Sequence, residues 1–396
     1  SLFGAGTFDL TKLAQFDGFE LVKMNGDGYI LTLRDGQDLD VDASGATGSG
    51  TINLGSEKST VSLAPGGGKV NFSSGDAIVT GIGKGYPAGA SYEFKFSTGT
   101  ANVHLENVGY NGSSFTFSSG AVTLDIKNLG YGYFSLGAGD ATVTLHGELY
   151  GTTVVQLSTG AYHFDASDSF SSPVYFYADS NQDFKAGNVL IGNEGNYNSK
   201  FDPYHSQLNL SGSKDVFDLS DVTIQQVPIL SLSQATVIGD KGLEGFSSIT
   251  GNGTVFYSGI TADLSKTSAG LGIQIVTDNT SGTTFLVKDI QTALDVTGGP
   301  GNDTIKAQSV TLSAAQKEFI FEQGSVETII DSSGTYTTPS FFRLTTGADL
   351  FNGGSIVVGN SLTLNSADHL VGTGHDILSL FGAGTFDLTK LAQFDG

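Results

Sequence analysis

FSSGDA (72–77), FSTGTA (96–101), FSSGAV (117–122), LGAGDA (136–141) and LSTGAY (157–162) are five spellings of one word. Its glycine falls at Gly75, Gly99, Gly120, Gly139 and Gly160, in steps of 24, 21, 19 and 21 residues. An antiparallel sandwich or barrel also alternates short strands with glycine turns, but nothing in it asks for one turn word at near-constant spacing. A step of about 20 residues fits one coil of a parallel β-solenoid, where each coil adds two or three short strands and equivalent residues stack ~4.8 Å apart. The word predicts its own geometry: Phe or Leu inward, the Ser or Thr pair outward, Gly at a corner that tolerates positive φ, and Ala opening the next strand. Runs at 61–63, 70–72, 101–105, 121–126, 141–145 and 152–157 alternate apolar and small polar residues, as half-buried strands do. The predicted fold is all-β, mainly a parallel β-solenoid of β-helix or β-roll type, with about 20 residues per coil and loop insertions.

A second word is FDLTKL (8–13), FDLSDV (217–222) and ADLSKT (262–267), with TLSAAQKEF (311–319) a looser relative. It reads as the end of a strand followed by one helical turn capped by Ser or Thr. The best short helix candidate is 314–322. The polar stretch 169–203 reads as a loop insertion or a module boundary. Within it, Asp179, Asn181 and Asp183 have the alternating oxygens that open a calcium loop, but the Gly and Glu such a loop needs are missing, so a solvated loop is expected. NGDG (25–28) is read as a tight turn.

Residues 1–18 read SLFGAGTFDLTKLAQFDG, and residues 379–396 repeat all 18 positions at an offset of 379 − 1 = 378 residues. A unit this long is a whole module, and its second opening predicts a tandem array. Solenoid ends leave open strand edges, which an identical module would cover. One uninterrupted stack of such a module would run roughly 90 Å.

Composition narrows the function classes. The 56 Gly come with only 7 Pro, which excludes collagen, and 27 Phe with 14 Tyr argue against disorder. Net charge is −22, from 40 acids and 18 bases, with Arg only at Arg34 and Arg343. Such a chain repels nucleic-acid phosphate and anionic lipid and attracts cations. With no Cys there is neither a disulfide framework nor a thiolate site. No stretch approaches the ~18 consecutive apolar residues of a membrane helix, so no membrane insertion is expected.

GGPGNDTI (298–305) and VGTGHDILSL (371–380) resemble single copies of the glycine- and aspartate-rich nonapeptide of RTX-type calcium-binding β-rolls. LTTGADLFNGG (344–354) and residues 366–391 resemble the degenerate RTX-like blocks of bacterial S-layer and giant surface repeat proteins. The resemblance covers about a quarter of the chain. It implies calcium as cofactor, held by oxygen from Gly-rich turns and Asp carboxylates. The implied ligands are Asp303 with Gly299 and Gly301, and Asp376 with Gly372 and Gly374. Because the nonapeptides here are isolated rather than consecutive, sites must borrow from adjacent coils, with Asp349 and Asp368 as donors. The implied organisation is an RTX-like opening block at 1–37, regular coils at 38–170, less regular coils with insertions at 171–340, an RTX-like block at 341–378, and the next repeat from 379.

Catalysis finds little support. A solenoid lyase needs a cationic base beside acids, and neither Arg sits in an acidic cluster. Carboxylate pairs are uninformative in a chain with so many Asp. His104, His146, His163, His205, His369 and His375 are scattered without a close metal-binding pair. No catalytic residue is assigned and no enzyme is expected. The expectation is a structural repeat unit, extracellular or on the cell surface, that associates with identical modules into a fibre, sheath or S-layer-like coat stabilised by calcium. The stalk of a large RTX-type adhesin is the alternative, and a polysaccharide-acting β-helix enzyme stands third. Cell-surface polysaccharide is a second candidate partner, through Tyr110, Tyr131, Tyr133, Tyr175 and Tyr177.

Overall fold

The computed structural model describes residues 1–84, 90–109, 111–193, 205–212, 215–337, 341–353, 356–373, 376–382 and 384–395. The chain is a β-solenoid of about 17 turns at roughly 21 residues per turn, with 48% strand and 6% helix. Successive coils feed two parallel sheets, one of 11 strands and one of 16. In the regular region each coil lays a long strand in the first sheet, such as Ala101–Val108 or Val122–Leu129, and a short one in the second, such as Ser113–Thr116 or Gly132–Ser135.

Period-2 alternation sends one set of side chains between the sheets. Val103 pairs with Leu124, Leu124 with Val143 and Val143 with Phe164 down the first sheet. Phe94, Phe115 and Phe134 descend the second. Their rings stand 5.6 and 4.8 Å apart, and all are fully buried. Each such ring contributes roughly 1.5–3 kcal/mol on leaving water, so a thin core suffices because every coil repeats it.

The turn word packs as predicted, with one change of cause. Phe96, Phe117, Leu136 and Leu157 are buried, as are Ala77, Ala101, Val122, Ala141 and Tyr162 after the turn. None of the five corner glycines has positive φ. Each is needed because coils approach closely: a Cβ on Gly99, Gly120, Gly139 or Gly160 would overlap the carbonyl oxygen of the corner glycine one coil earlier. Positive φ belongs to the other corner, at Asn107, Asn128 and Gly147. There Asn128 Nδ2 donates to Asn107 Oδ1 at 2.9 Å, and Glu148 N donates to Asn128 Oδ1 at 3.0 Å, making an amide ladder along the corner.

The cross-section changes after residue 225. The first sheet ends at Thr223–Gln225, the ten-residue strands Ile229–Ile238 and Ser248–Tyr257 prolong the second, and a five-stranded sheet starts at Thr261–Leu264. Two helices decorate these coils, α1 (Ile290–Leu294) and α2 (Ala314–Gln323). Helix α2 starts with a capping box between Ser313 and Gln316. The FDLTKL word forms a 3-10 turn, Leu10–Lys12, but its cap is Asp9 rather than Ser or Thr: Thr11 N donates to Asp9 Oδ1 at 3.1 Å. The same Asp-x-Ser/Thr link recurs at Asp218–Ser220 and Asp263–Ser265.

Among the described residues the parallel sheets of the first coils do not run on into the strands after 340. Thr328–Asp331 turns back into Gly334–Thr337, an antiparallel hairpin that closes the parallel ladder. A second stack then begins with two three-stranded parallel sheets. One holds Phe341–Arg343, Ile356–Asn360 and Ile377–Phe381, and the other Leu350–Phe351, His369–Val371 and Gln393–Asp395. It has its own core of Leu344, Phe351, Val357 and Leu370. Ser379 Oγ meets Glu322 Oε1 of α2 at 3.2 Å.

Candidate metal centre and coil ends

Asp303 opens a strand in the first stack and is 0% exposed. Its Oδ2 accepts from Gly299 N at 2.7 Å, and its Oδ1 accepts from Thr283 N of the preceding coil at 2.6 Å. Its own N–H donates to Glu327 Oε2 of the following coil at 2.6 Å. Gly299 and Gly301 lie against the preceding turn: a Cβ on Gly301 would overlap Gly282 N, and one on Gly299 would crowd Thr277 O. Glu327 escaped the sequence reading. Its signal was the shared spelling of DTI (303–305) and ETI (327–329), which the register Thr304↔Thr328 stacks.

The same pattern recurs in the second stack. Asp349 accepts from Thr345 N at 2.6 Å and Thr345 Oγ1 at 3.0 Å, and its N–H donates to Asp368 Oδ1 at 3.1 Å one coil on. Asp368, fully buried, also accepts from Asn365 N at 2.9 Å. Asp376 Oδ2 takes the N–H of Thr373 and, at 2.8 Å, its hydroxyl. Gly372 N donates to Asp395 O at 2.7 Å. Gly374 and His375 lie outside the described residues. The fold therefore brings Asp303 to Gly299 and Asp349 to Asp368, while Asp303 belongs to one stack and Asp349, Asp368 and Asp376 to the other.

These carboxylates first serve as acceptors for turn N–H groups that would otherwise be orphaned in the stack. Each oxygen of Asp303, Asp349 and Asp368 has a second lone pair, so acceptance of one hydrogen bond leaves capacity for a cation. Among the described residues no three His, Asp or Glu side chains converge on one point. The six to eight oxygens of a calcium ion would therefore have to include turn carbonyls.

DSNQD differs from its expectation. Asp183 is buried, and with Ser180 it forms the capping box of a 3-10 turn, Asn181–Asp183. Burial raises its carboxyl above the usual range, against the pull of the Ser180 and Asp179 N–H groups. The histidines are less scattered than the sequence suggested. On the outward face of the first sheet His104 Nδ1 lies 2.7 Å from Asp125 Oδ2. His146 Nε2 lies 3.0 Å from Asp125 Oδ1, at ion-pair distance but without hydrogen-bond alignment. Spacings of 21 residues from His104 to Asp125 and from Asp125 to His146 are the one-coil signal that was available. Tyr131, Tyr133 and Tyr177 are exposed, Tyr133 and Tyr177 on strands of the second sheet. Tyr110 lies outside the described residues.

The two 18-residue copies sit at opposite ends and complement each other. In the first, Leu2–Phe3 pairs forward, with Leu2↔Met24 and Phe3↔Asn25, and Gly6–Asp9 pairs forward onto Tyr29–Thr32. In the second, Leu380 and Phe381 pair backward, onto Gly359 and Asn360, and Gln393–Asp395 pairs backward onto His369–Val371. Side chains follow the ladders. Leu10 is 6% exposed in the first core, whereas Leu13 is 43% exposed. Leu391, the same position as Leu13, packs on the second core. Phe16 packs on the first core and stacks on Phe19 at 4.7 Å, whereas its counterpart Phe394 is 49% exposed. The same turn is kept in both, with Lys12–Asp9 at 3.4 Å and Lys390–Asp387 at 3.2 Å. A cavity of ≈ 350 Å³ opens beside Phe394, lined by Phe351, Val357, Leu370 and Leu378, with Asp376 and Asp395 at its edge.

No family model, curated protein or solved structure matches the chain.

Proposed function

We propose that the chain is a structural repeat unit of an extracellular or cell-surface protein that assembles end to end into a fibre, sheath or S-layer-like coat, without enzymatic activity. The observation that carries this reading is the repeated coil. The same 18-residue sequence pairs forward onto the next coil in one copy and backward onto the preceding coil in the other. A segment built to be paired on both sides is an interior coil of a longer stack. Calcium is the proposed stabiliser, drawn by the net charge of −22 and held at the adjacent-coil acids Asp303 with Glu327 and Asp349 with Asp368. When bound, it would cancel charge that consecutive coils otherwise stack.

The stalk of an RTX-type adhesin is the second reading. Exposed Tyr133 and Tyr177 on one sheet face favour it, since flat aromatic faces suit contact with a surface polysaccharide. Electron microscopy of native material in calcium and then in chelator separates the readings. Lateral lattices or bundles that disperse on chelation are expected for the coat. Single extended rods in both conditions would favour the stalk, and compact isolated particles in both would overturn the structural reading.

A further inference from the structure

Resting on the exposed-tyrosine face of the stalk reading, we propose that the outward face of the second sheet is a binding strip for an uncharged, extended, β-linked polysaccharide, laid along the solenoid axis at one sugar ring per coil. The strip comprises the consecutive strands Ser113–Thr116, Gly132–Ser135, Thr153–Gln156, Val174–Ala178, Gln207–Ser211 and Ile229–Ile238. None of them contains a charged residue, in a chain of net charge −22. The other sheet of the same coils carries His104, Asp125, Lys127 and Asp168 on its outward face. Charge also marks one boundary of the strip: on the two preceding strands Lys69 and Lys95 lie 2.9 and 3.3 Å from Glu93.

Strand register sets the strip in rows. Tyr133, Val154, Tyr175 and Gln207 follow one another in one row, beside Ser135, Gln156, Tyr177 and Asn209 in the next. Coils advance by ~4.8 Å, close to the advance of one pyranose ring in an extended chain. Tyr133 and Tyr175 therefore stand ~10 Å apart along the axis, under every second ring of a β-linked chain, where the same ring face recurs. Tyr133 is 47% and Tyr177 38% exposed. Aromatic rings pack on the C–H faces of sugars, and the neighbouring hydroxyls and amides can exchange hydrogen bonds with sugar hydroxyls. Gln207 Nε2 donates to Asn209 Oδ1 at 2.6 Å, and Asn209 Nδ2 donates to Phe176 O at 3.1 Å, which holds both amides beside the tyrosines. A peptide finds no open strand edge here, because each strand is paired on both sides. A second copy of this chain fits poorly. The strip is about 25 by 10 Å, roughly a third of the ~800 Å² that each partner of a stable pair buries. Contact beyond it would bring acids of like sign together.

The test is affinity electrophoresis of the full chain in native gels containing hydroxyethylcellulose or glucomannan, with polygalacturonate as the anionic comparison. Both neutral polymers should retard the chain, and polygalacturonate should not. Tyr133→Ala and Tyr177→Ala should each weaken the retardation about fivefold. Ile78→Ala, at an exposed position on the other sheet, should leave it unchanged. Circular dichroism and thermal melting of the tyrosine variants should match those of the unmodified chain, which separates lost binding from lost folding. No retardation by either neutral polymer, or retardation that survives the double variant Tyr133→Ala/Tyr177→Ala, would overturn the proposal. So would self-association that the double variant abolishes, since the strip would then be a contact between copies. Electron microscopy keeps this outcome apart from the structural readings: rods or lattices without glycan binding would sink the strip alone, and compact particles would sink those readings whatever the gels show.

Discussion

At the scale of single residues, the corner glycines tie sequence to fold most tightly. Their spacing revealed the coil, but their physical role became visible only through register, since the atom each would strike belongs to a residue about 20 positions away. Gly120→Ala should destabilise the chain by about 1–3 kcal/mol, the cost of forcing packed backbone apart, measured by denaturant unfolding. Gly112→Ala, where no neighbour lies within 4 Å, offers a contrast: its penalty comes from φ +79 alone and should be smaller. Asp295 supplies a pH test. Burial pushes its carboxyl up to about 6, with Gln291 Nε2 donating to Oδ1 at 2.8 Å and Oδ2 without a partner among the described residues. A carboxyl whose folded pKa is raised binds protons more tightly folded than unfolded, so its contribution worsens as pH rises from near 4 to near 6. Asp295→Asn should therefore raise stability at pH 7 by about 1 kcal/mol after solvent screening and flatten the profile over that window. A pH profile identical to that of the unmodified chain would contradict this. The Asp-x-Ser/Thr acids act in the opposite sense. Hydrogen bonds from Ser or Thr hold Asp9, Asp42, Asp218 and Asp263 below the usual range, so their stabilisation is present at neutral pH and is lost as pH falls through their folded values.

At the scale of elements, strands were legible because period-2 alternation is local, and α2 was legible from Ser313 and Gln316. The closing hairpin was not, because Thr328–Asp331 alternates like every parallel strand before it and only its partner differs. What holds α2 to that hairpin is a buried ion pair. Lys317 Nζ lies 2.9 Å from Asp331 Oδ2, whose side chain is fully buried, and 3.4 Å from the centre of the Tyr336 ring. Asp331 also accepts from Leu312 N at 3.0 Å and Ser333 N at 2.8 Å. Hydrogen bonds from Ser333 and Lys317 outweigh desolvation and hold its carboxyl well below the usual range. Lys317→Met should cost roughly 2–4 kcal/mol, because it strands a buried charge, and it should loosen α2 in hydrogen exchange before the regular coils. Uniform loss of protection across the chain would contradict a local clamp.

At the scale of the whole molecule, the sequence announced a tandem unit and a solenoid, and both arise from repetition, which one chain displays in full. Division into two stacks was not announced, since it depends on a reversal of strand direction. The calcium words pointed to Asp303, Asp349 and Asp368 but not to Glu327, which enters only through register. If calcium bridges these coils, saturating metal should stabilise the chain by about 2–3 kcal/mol at a hundredfold excess over Kd. Asp349→Asn with Asp368→Asn should remove that gain in the second stack, as read by calorimetric melting with and without chelator. An unchanged melting profile with calcium would leave hydrogen bonding as the sole role of these acids.

The most direct measurement is a cryo-electron microscopy map of a chain carrying the 378-residue unit twice. The 18-residue segment at the junction is expected to be laddered on both sides, with the counterparts of Gly359, Leu2 and Met24 in one rung and the apolar cavity beside Phe394 closed. A junction paired on one side only, with the second unit swinging free, would contradict it.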